Sequence, residues 1–214
     1  NLGIIYYEGR YYPKNIVKAL YYFFLAANHN YPLAQYTIGL LYLEGKDIPQ
    51  DTNKAIKYLS LAADSNLSIA QFKLGNIYLE NKFLPKNINK AFFYLSLAAK
   101  QKNSNALNYL GLIYYEGKYI SQDIKKAIYF FELSANLNNP EAQYYLGLIY
   151  YKNEIIASDI NKSIHYLCLS ANQNHRGSQF FLGFIFFEGR RIKRNIYKSI
   201  HYFTLAANNN LAEA

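Results

Sequence analysis

The stretch LGLIYYEG, residues 110–117, places one glycine inside an apolar run and a second glycine at its end. Nearly the same letters occur at residues 2–9 as LGIIYYEG and at residues 182–189 as LGFIFFEG. A glycine within a helix is about 1 kcal/mol less favourable than an alanine, so its repetition needs a physical reason. The recurrence indicates that the chain is built from copies of one structural unit.

The spacing of the inner glycine is constant along the whole chain. Steps of 36 residues from Gly111 in both directions meet a glycine each time, preceded by leucine or isoleucine and followed three residues later by tyrosine or phenylalanine. Residues 1–214 are therefore predicted to form one repeat array of about five to six copies, truncated at both ends. The six glycines are Gly3, Gly39, Gly75, Gly111, Gly147 and Gly183.

Each copy predicts a first helix that ends at a left-handed cap. Ala106, Leu110, Gly111 and Tyr114 fall on one helical face, and Gly117 then stops the helix. Glycine and asparagine tolerate the left-handed conformation of a helix C-cap, and no other residue type occurs at this position. The equivalents of Gly117 are Gly9, Gly45, Asn81, Asn153 and Gly189.

A second helix is predicted to begin after an Asp or Asn, the residue types that accept hydrogen bonds at helix N-caps. These residues are Asn15, Asp51, Asn87, Asp123, Asp159 and Asn195. The second helix is expected to end near an asparagine, with Lys102 as the exception. The ending residues are Asn30, Asn66, Asn138, Asn174 and Asn210.

The inner glycine is best explained by a close approach of two helix backbones. We expect Gly111 to mark the contact between the two helices of a hairpin, with Ala127, Ser134 and Ala135 as the small residues that face it. A single hairpin cannot bury both of its faces, so successive hairpins must stack. The predicted fold class is all-α: a right-handed α-solenoid of stacked helix-turn-helix hairpins with a 36-residue repeat.

The pattern A-x-x-x-L-G-x-x-Y-x-x-G, then D-x-x-K-A, then A-A, resembles the Sel1-like repeat, which is related to the tetratricopeptide repeat. The constant period of 36 residues separates the array from tetratricopeptide repeats, whose unit has about 34 residues. The family's usual second glycine after the first helix is absent here. The matching residues of one copy are Ala106, Leu110, Gly111, Tyr114, Gly117, Asp123, Lys126, Ala127, Ser134 and Ala135.

The resemblance implies a non-catalytic scaffold or adaptor that mediates protein–protein interactions. The alternatives are the repeat region of a larger enzyme, or a subunit of an endoplasmic-reticulum quality-control complex that serves as a ubiquitin-ligase adaptor. The compartment stays open between the cytoplasm and the endoplasmic-reticulum lumen. No phosphate-binding loop, metalloprotease motif or nucleophile elbow occurs, so we expect neither catalysis nor a cofactor.

A stripe of mostly aromatic residues runs beside the core face of the first helices, and we call it the first-helix stripe. By analogy with related helical repeats, it would line a concave surface and bind a peptide segment or a partner helix. Alternatively, these rings fill the space between stacked hairpins, since aromatics serve cores as well as interfaces. The aromatic members of the stripe are Tyr7, Tyr36, Phe72, Tyr115, Tyr144, Tyr151, Phe180, Phe184 and Phe187, and its leucines include Leu40, Leu43 and Leu148.

Basic residues concentrate near the loops, and the formal net charge is +9. The densest group, called here the basic loop patch, comprises Arg190, Arg191, Lys193 and Arg194. It predicts an acidic protein partner, or else a solvated edge that keeps an apolar array in solution. Nucleic acid is not expected, because no nucleic-acid-binding module is recognisable.

A few remaining features bound the function. His165 and Cys168 share a helix face, and His201 follows one repeat later, so a His–Cys–His metal site is conceivable. The other copies carry tyrosine, lysine or phenylalanine at the histidine position, which favours a tolerant surface position and no metal. No apolar run reaches the roughly 20 residues of a membrane span. The chain lacks methionine and begins with Asn1, which predicts a fragment of a longer protein.

Overall fold

A computed structural model describes residues 2–80, 86–152 and 158–211, and within these ranges it contains helices and no strands. The all-α prediction is confirmed. Odd-numbered helices are the first helices of the hairpins and even-numbered helices are the second. They are α1 Leu2–Glu8, α2 Ile16–Asn28, α3 Pro32–Glu44, α4 Thr52–Asp64, α5 Ser68–Glu80, α6 Ile88–Lys100, α7 Ser104–Glu116, α8 Ile124–Asn136, α9 Pro140–Lys152, α10 Ile160–Ala171, α11 Arg176–Glu188 and α12 Ile196–Leu211.

The helices form two compact units, residues 1–103 and residues 104–214, which are described separately. In the N-terminal unit α1 pairs with α2, α3 with α4 and α5 with α6; α2 packs on α3, and α4 packs on α5. In the C-terminal unit α7 pairs with α8, α9 with α10 and α11 with α12; the hairpins pack through α8 on α9 and α10 on α11. The fold is thus a solenoid of helix hairpins.

The N-caps of the second helices form as predicted. Asp51 Oδ1 accepts a hydrogen bond of 2.9 Å from the backbone N–H of Lys54, and Asp123 Oδ1 accepts one of 3.0 Å from Lys126. These backbone bonds hold the pKa of both aspartates below the usual range. Equivalent bonds occur at Asn15, Asn87, Asp159 and Asn195.

The helix ends also follow the prediction, with one exception. Gly9, Gly45, Gly117 and Gly189 have φ between 65° and 72°, while Asn81 and Asn153 lie outside the described residues. Second helices are followed by left-handed residues, Asn30, Asn66, Lys102, Asn138 and Asn174, with φ between 57° and 62°. Asn210 differs because it lies within α12, which continues to Leu211.

Replacing Lys102 with asparagine is expected to stabilise the N-terminal unit by about 1 kcal/mol. Lys102 has a φ of 58°, which a lysine tolerates less well than the asparagine found at the same place in other repeats. Urea unfolding measures the change. Lys100→Asn, inside α6, serves as the control and should bring no gain; an equal gain from both variants would contradict the strain argument.

The inner glycines do mark a close approach between the paired helices. A Cβ at Gly111 would lie 2.7 Å from Phe131 Cδ1, and one at Gly147 would lie 2.5 Å from Leu167 Cγ. The nearest atoms at Gly111 belong to Phe131, a large residue that was not expected there. Of the small residues expected to face the glycine, the equivalents of Ala127 do so in other copies, where Ala55 lies against Gly39 and Ser163 against Gly147. The missing side chain makes room for a large buried residue of the second helix.

Backbone contacts confirm how close the helices come. A Cβ at Gly39 would lie 3.2 Å from the carbonyl oxygen of Ala55. At the equivalent place in the C-terminal unit, Ser163 donates a hydrogen bond of 2.7 Å from its hydroxyl to the carbonyl oxygen of Gly147. A side-chain hydroxyl reaches the opposite backbone only where the two helices nearly touch.

Gly147→Ala and Leu167→Ala are expected to be less harmful together than the sum of their separate effects. Gly147→Ala should destabilise by about 1–3 kcal/mol through overpacking, and Leu167→Ala by about 2–5 kcal/mol through a cavity. The truncated Leu167 leaves space that the new methyl group fills, so the two changes couple. Unfolding free energies of the three variants give the coupling, and strict additivity would contradict this geometry.

Each copy also contains a layered contact of one lysine and two aromatic rings. The Lys126 Nζ lies 5.2 Å from the ring centroid of Tyr114, which stacks at 5.7 Å on Phe130. The lysine that recurs three residues after every N-cap therefore belongs to the packing of the repeat. The other layers are Lys18–Tyr6–Tyr22, Lys54–Tyr42–Tyr58, Lys90–Tyr78–Tyr94, Lys162–Tyr150–Tyr166 and Lys198–Phe186–Tyr202.

Candidate protein-interaction surface

In the C-terminal unit, the first-helix stripe on α9 contacts the next first helix. The ring of Tyr144 lies 4.9 Å from that of His175, and the ring of Tyr151 lies 5.1 Å from that of Phe181. Tyr151 also donates a hydrogen bond of 3.1 Å to Glu188 Oε2. Burial, followed by this hydrogen bond, raises the pKa of Tyr151 above its ordinary value. Both tyrosines are half-buried.

The stripe residues nearer the chain start behave in the same way. Tyr7 donates a hydrogen bond of 2.9 Å to Asp47 Oδ2, and burial together with this bond raises the pKa of Tyr7. Tyr36 packs against the core of α4 and α5, and Phe72 is half-buried. In the C-terminal unit, the Tyr115 ring lies 5.7 Å from that of Tyr145 on α9. The stripe therefore takes part in packing between hairpins.

The stripe residues on α11 are more accessible. Phe180 and Phe187 are 58% and 51% exposed, whereas Phe184 is half-buried and stacks at 5.9 Å on Phe181. If the stripe were a binding surface along its whole length, Tyr144 and Tyr151 would be substantially exposed as these two phenylalanines are, but both tyrosines are half-buried. The stripe combines a packing function with partly exposed rings, and its use in binding stays a prediction.

A neighbouring row of half-buried residues was only partly singled out from the sequence, which placed Leu40, Leu148 and Phe184 on the first-helix stripe. It occupies the positions two before and one after each inner glycine, and we call it the groove row. Its members range from polar to aromatic between copies, and that variation at a constant position was the available signal. They are Thr37, Leu40, Lys73, Asn76, Tyr109, Leu112, Tyr145, Leu148, Phe181 and Phe184.

Clefts lie in the described part of the N-terminal unit, and two of them are lined in part by groove-row residues. One, of about 230 Å³, is lined by groove-row residues Lys73 and Asn76 together with Leu43, Gln50, Ile77 and Glu80. The larger, of about 540 Å³, is mostly apolar and lies beside α1, which has 7 residues where α3 has 13.

Three residues of the basic loop patch make contacts within the chain. Arg190 Nε lies 3.5 Å from Glu188 Oε1, and the Arg194 guanidinium lies 5.2 Å from the Phe187 ring. Arg191 lies 4.8 Å over the Tyr151 ring and donates a hydrogen bond to the Tyr151 carbonyl oxygen. Lys193 is exposed. Much of this charge therefore already serves the packing of the loop.

The hypothetical metal ligands do not gather into a site. Cys168 Sγ lies 3.7 Å from the Tyr202 hydroxyl, and burial together with this contact raises the pKa of Tyr202 to about 12. His165 and His201 are exposed. Across residues 2–80, 86–152 and 158–211, no group of three or more His, Cys, Asp or Glu side chains is arranged to hold a metal ion. None of the helices described there has the length and hydrophobicity that crossing a membrane requires.

These features define an α-helical tandem-repeat protein built from stacked helix hairpins. The family model of the Sel1 repeat matches residues 1–31, 32–67, 68–103, 104–139, 140–175 and 177–211. The chain belongs to the Sel1 repeat family, whose members generally mediate protein–protein interactions and whose fold is typically a non-enzymatic scaffold.

Solved structures support the same assignment. A Sel1 repeat protein from Oxalobacter formigenes has 26% sequence identity and a TM-score of 0.88, over 97% of this chain and 85% of that one. The immunity protein PA5088 of Pseudomonas aeruginosa matches at 17% identity and a TM-score of 0.64. The match covers 98% of this chain and 82% of the PA5088 chain.

The protective antigen c5321 of uropathogenic Escherichia coli matches at 24% identity and a TM-score of 0.57, over 97% of this chain and 52% of that one. The last two structures show the fold alone. No curated protein matches the chain.

Tyr151→Ala is expected to lower the unfolding free energy by about 3 kcal/mol, because its half-buried ring packs between α9 and α11. Phe180→Ala, at a ring that is 58% exposed, should lower it by less than about 1 kcal/mol. Tyr151→Phe removes only the hydroxyl bonded to Glu188, so its loss of unfolding free energy should lie between those of the two alanine variants. Urea denaturation ranks the three, and equal losses for Tyr151→Ala and Phe180→Ala would refute this division.

Proposed function

We propose that this chain is a non-catalytic scaffold whose first helices bind an extended or helical segment of another protein. The observation that carries the proposal is the groove row of the C-terminal unit, where Tyr145, Leu148, Phe181 and Phe184 leave part of each side chain exposed on successive first helices. Partly exposed aromatic and aliphatic side chains in a row are typical of surfaces that accept a partner's apolar side chains.

The rings of the groove row are held in place before any partner arrives. Tyr145 stacks at 5.2 Å on the buried Phe131, with an angle of 6° between the ring planes. Phe181 lies 5.1 Å from Tyr151 and 5.9 Å from Phe184. Such preorganisation reduces the side-chain entropy lost on binding. Burial, followed by the charge of Glu141, raises the pKa of Tyr145 above its ordinary value, so its hydroxyl remains a donor further into the alkaline range.

The charges beside the groove row suggest which charge the partner carries next to its apolar residues. The first helices end in glutamate at the same position of most copies, including Glu44, Glu80, Glu116 and Glu188, with Lys152 as an exception. A segment bound here would be favoured by basic residues next to its apolar ones. The acidic partner predicted from the net charge is thus not supported for this face.

Leu148→Asn with Phe184→Asn is expected to weaken binding about tenfold or more while leaving the fold intact. Asparagine stands at the equivalent position in another copy, as Asn76, so the scaffold tolerates it. The probes are peptides selected from a random 16-residue phage library panned on the chain, with dissociation constants measured by fluorescence anisotropy.

Tyr197→Asn with Ile200→Asn, on the second helix α12, provides the matched control, because it removes one aromatic and one aliphatic side chain that are exposed and lie outside the groove row. Circular dichroism melts establish that both variants fold. The proposal fails if no peptide enriched on the parent chain loses affinity for the groove-row variant, or if the control variant removes all binding.

A further inference from the structure

Charge is divided between the two sets of helices. The acids within the described second helices are Asp64 and Glu132, and Glu132 accepts a hydrogen bond from the Tyr150 hydroxyl. The first helices carry Glu8, Glu44, Glu80, Glu116, Glu141 and Glu188 against Lys73, Lys152 and Arg176. The lysines of the second helices are Lys18, Lys54, Lys57, Lys90, Lys100, Lys125, Lys126, Lys162 and Lys198.

The same second-helix face carries apolar residues where solvent-facing helix positions are ordinarily polar. In the C-terminal unit Tyr129 is 58% exposed, and Leu133 and Leu169 are 37% and 38% exposed. The leucine recurs ten residues after the N-cap of every copy, although the position is never fully buried. These leucines are Leu25, Leu61, Leu97, Leu133, Leu169 and Leu205.

On α8 the basic and apolar residues form one stripe. Lys125, Tyr129 and Leu133 are four residues apart and therefore lie on one side of the helix. Lys126 and Lys162 stand beside this stripe, each with its Nζ held 5.2 Å from an aromatic ring of the adjoining first helix. Lys126 Nζ also lies 3.4 Å from Asp123 Oδ2, in an exposed ion pair that a partner's carboxylate would share. The ammonium groups are thus positioned by the packing of the repeat.

We propose that the second-helix face of the C-terminal unit, formed by α8 and α10, docks an acidic amphipathic segment of a partner protein. Carboxylates of that segment would pair with the Lys125, Lys126 and Lys162 ammonium groups. Its aliphatic side chains would cover Tyr129, Leu133 and Leu169. This charge complementarity is opposite to that of the first-helix face, so one chain offers two surfaces to partners of opposite charge.

The apolar residues of this face, Tyr129, Leu133 and Leu169, favour a protein over other anionic partners. Leucines contribute little to contacts with nucleic-acid phosphates, which lysines alone would satisfy. Leu133 and Leu169 are less than half exposed, so they do not project as an interfacial membrane anchor requires. Such partly exposed leucines suit contact with the aliphatic side chains of a protein segment.

The double variant Lys125→Glu, Tyr129→Ala is expected to weaken the binding of acidic peptides about tenfold or more. The reasons are charge repulsion and the loss of apolar contact. The equivalents of Lys125 include Val17 and Asn53, and those of Tyr129 include Lys57 and His165, so the repeat tolerates varied residues at both positions. The control is Lys152→Glu on α9, which makes the same charge change at a position that is glutamate in the other described copies.

A random 16-residue phage library is panned on the chain and counter-selected on the Lys125→Glu, Tyr129→Ala variant. Enriched peptides should combine Asp or Glu with Leu, Ile or Phe at helical spacing, bind the Lys152→Glu variant normally and weaken as salt rises. If the double variant has a lower melting temperature than the parent chain, the single variant Lys125→Glu takes its place in the same experiment. The groove-row variant Leu148→Asn, Phe184→Asn should not affect these peptides, so the two proposals fail separately.

Three results would overturn the proposal. The first is an enriched set without acidic residues, and the second is equal binding to the parent and the counter-selected variant. The third is retention of the chain by phosphatidylserine-containing vesicles or by a DNA duplex while no acidic peptide binds, which would assign the face to a membrane or a nucleic acid.

Discussion

The contact between an inner glycine and one large residue of the paired helix is the constraint on which the other features of each hairpin depend. At Gly147 the missing side chain admits Leu167, and at Gly111 it admits Phe131. This contact fixes how far apart the two helices lie and which faces they turn to each other. The stacked ring pair, such as Tyr114 on Phe130, and the lysine above it then fall into the same arrangement in every copy.

Because the same packing is repeated, the same positions are left partly exposed in each hairpin, and function can reside in what differs among them. Positions that pack, such as the glycine or the N-cap, hardly vary. The groove row varies from Thr37 and Lys73 in one unit to Tyr145 and Phe181 in the other. The exposed second-helix position of Tyr129 varies likewise, with Lys57 and His165 as equivalents. A common scaffold thus presents different chemistry on its two faces.

Buried amides show how residues far apart in the chain adapt to each other. Gln71 Oε1 accepts a hydrogen bond of 2.8 Å from Gln101 Nε2. Gln143 Oε1 accepts an equivalent bond of 2.8 Å from Gln173 Nε2. In the copy between them both positions are leucine, Leu107 and Leu137, so the amide pair is exchanged as a whole for an apolar pair. The pairing is not obligatory, because Ser65 takes the partner position of the buried Gln35, whose Oε1 has no hydrogen-bond partner among the described residues. An unpaired buried amide of this kind costs about 1–3 kcal/mol.

The sequence by itself determined the repeat, its two helices, the caps at Asp51 and Asp123, and the close approach at Gly111. Periodicity and caps depend on residues three or four apart, and such local rules can be read from the letters alone. Only the tertiary structure decided that Phe131 lies against Gly111, that Tyr151 is half-buried against α11, and which first-helix row stays partly open. Those outcomes depend on the rotation of each helix about its axis, which is set by packing between side chains distant in the sequence.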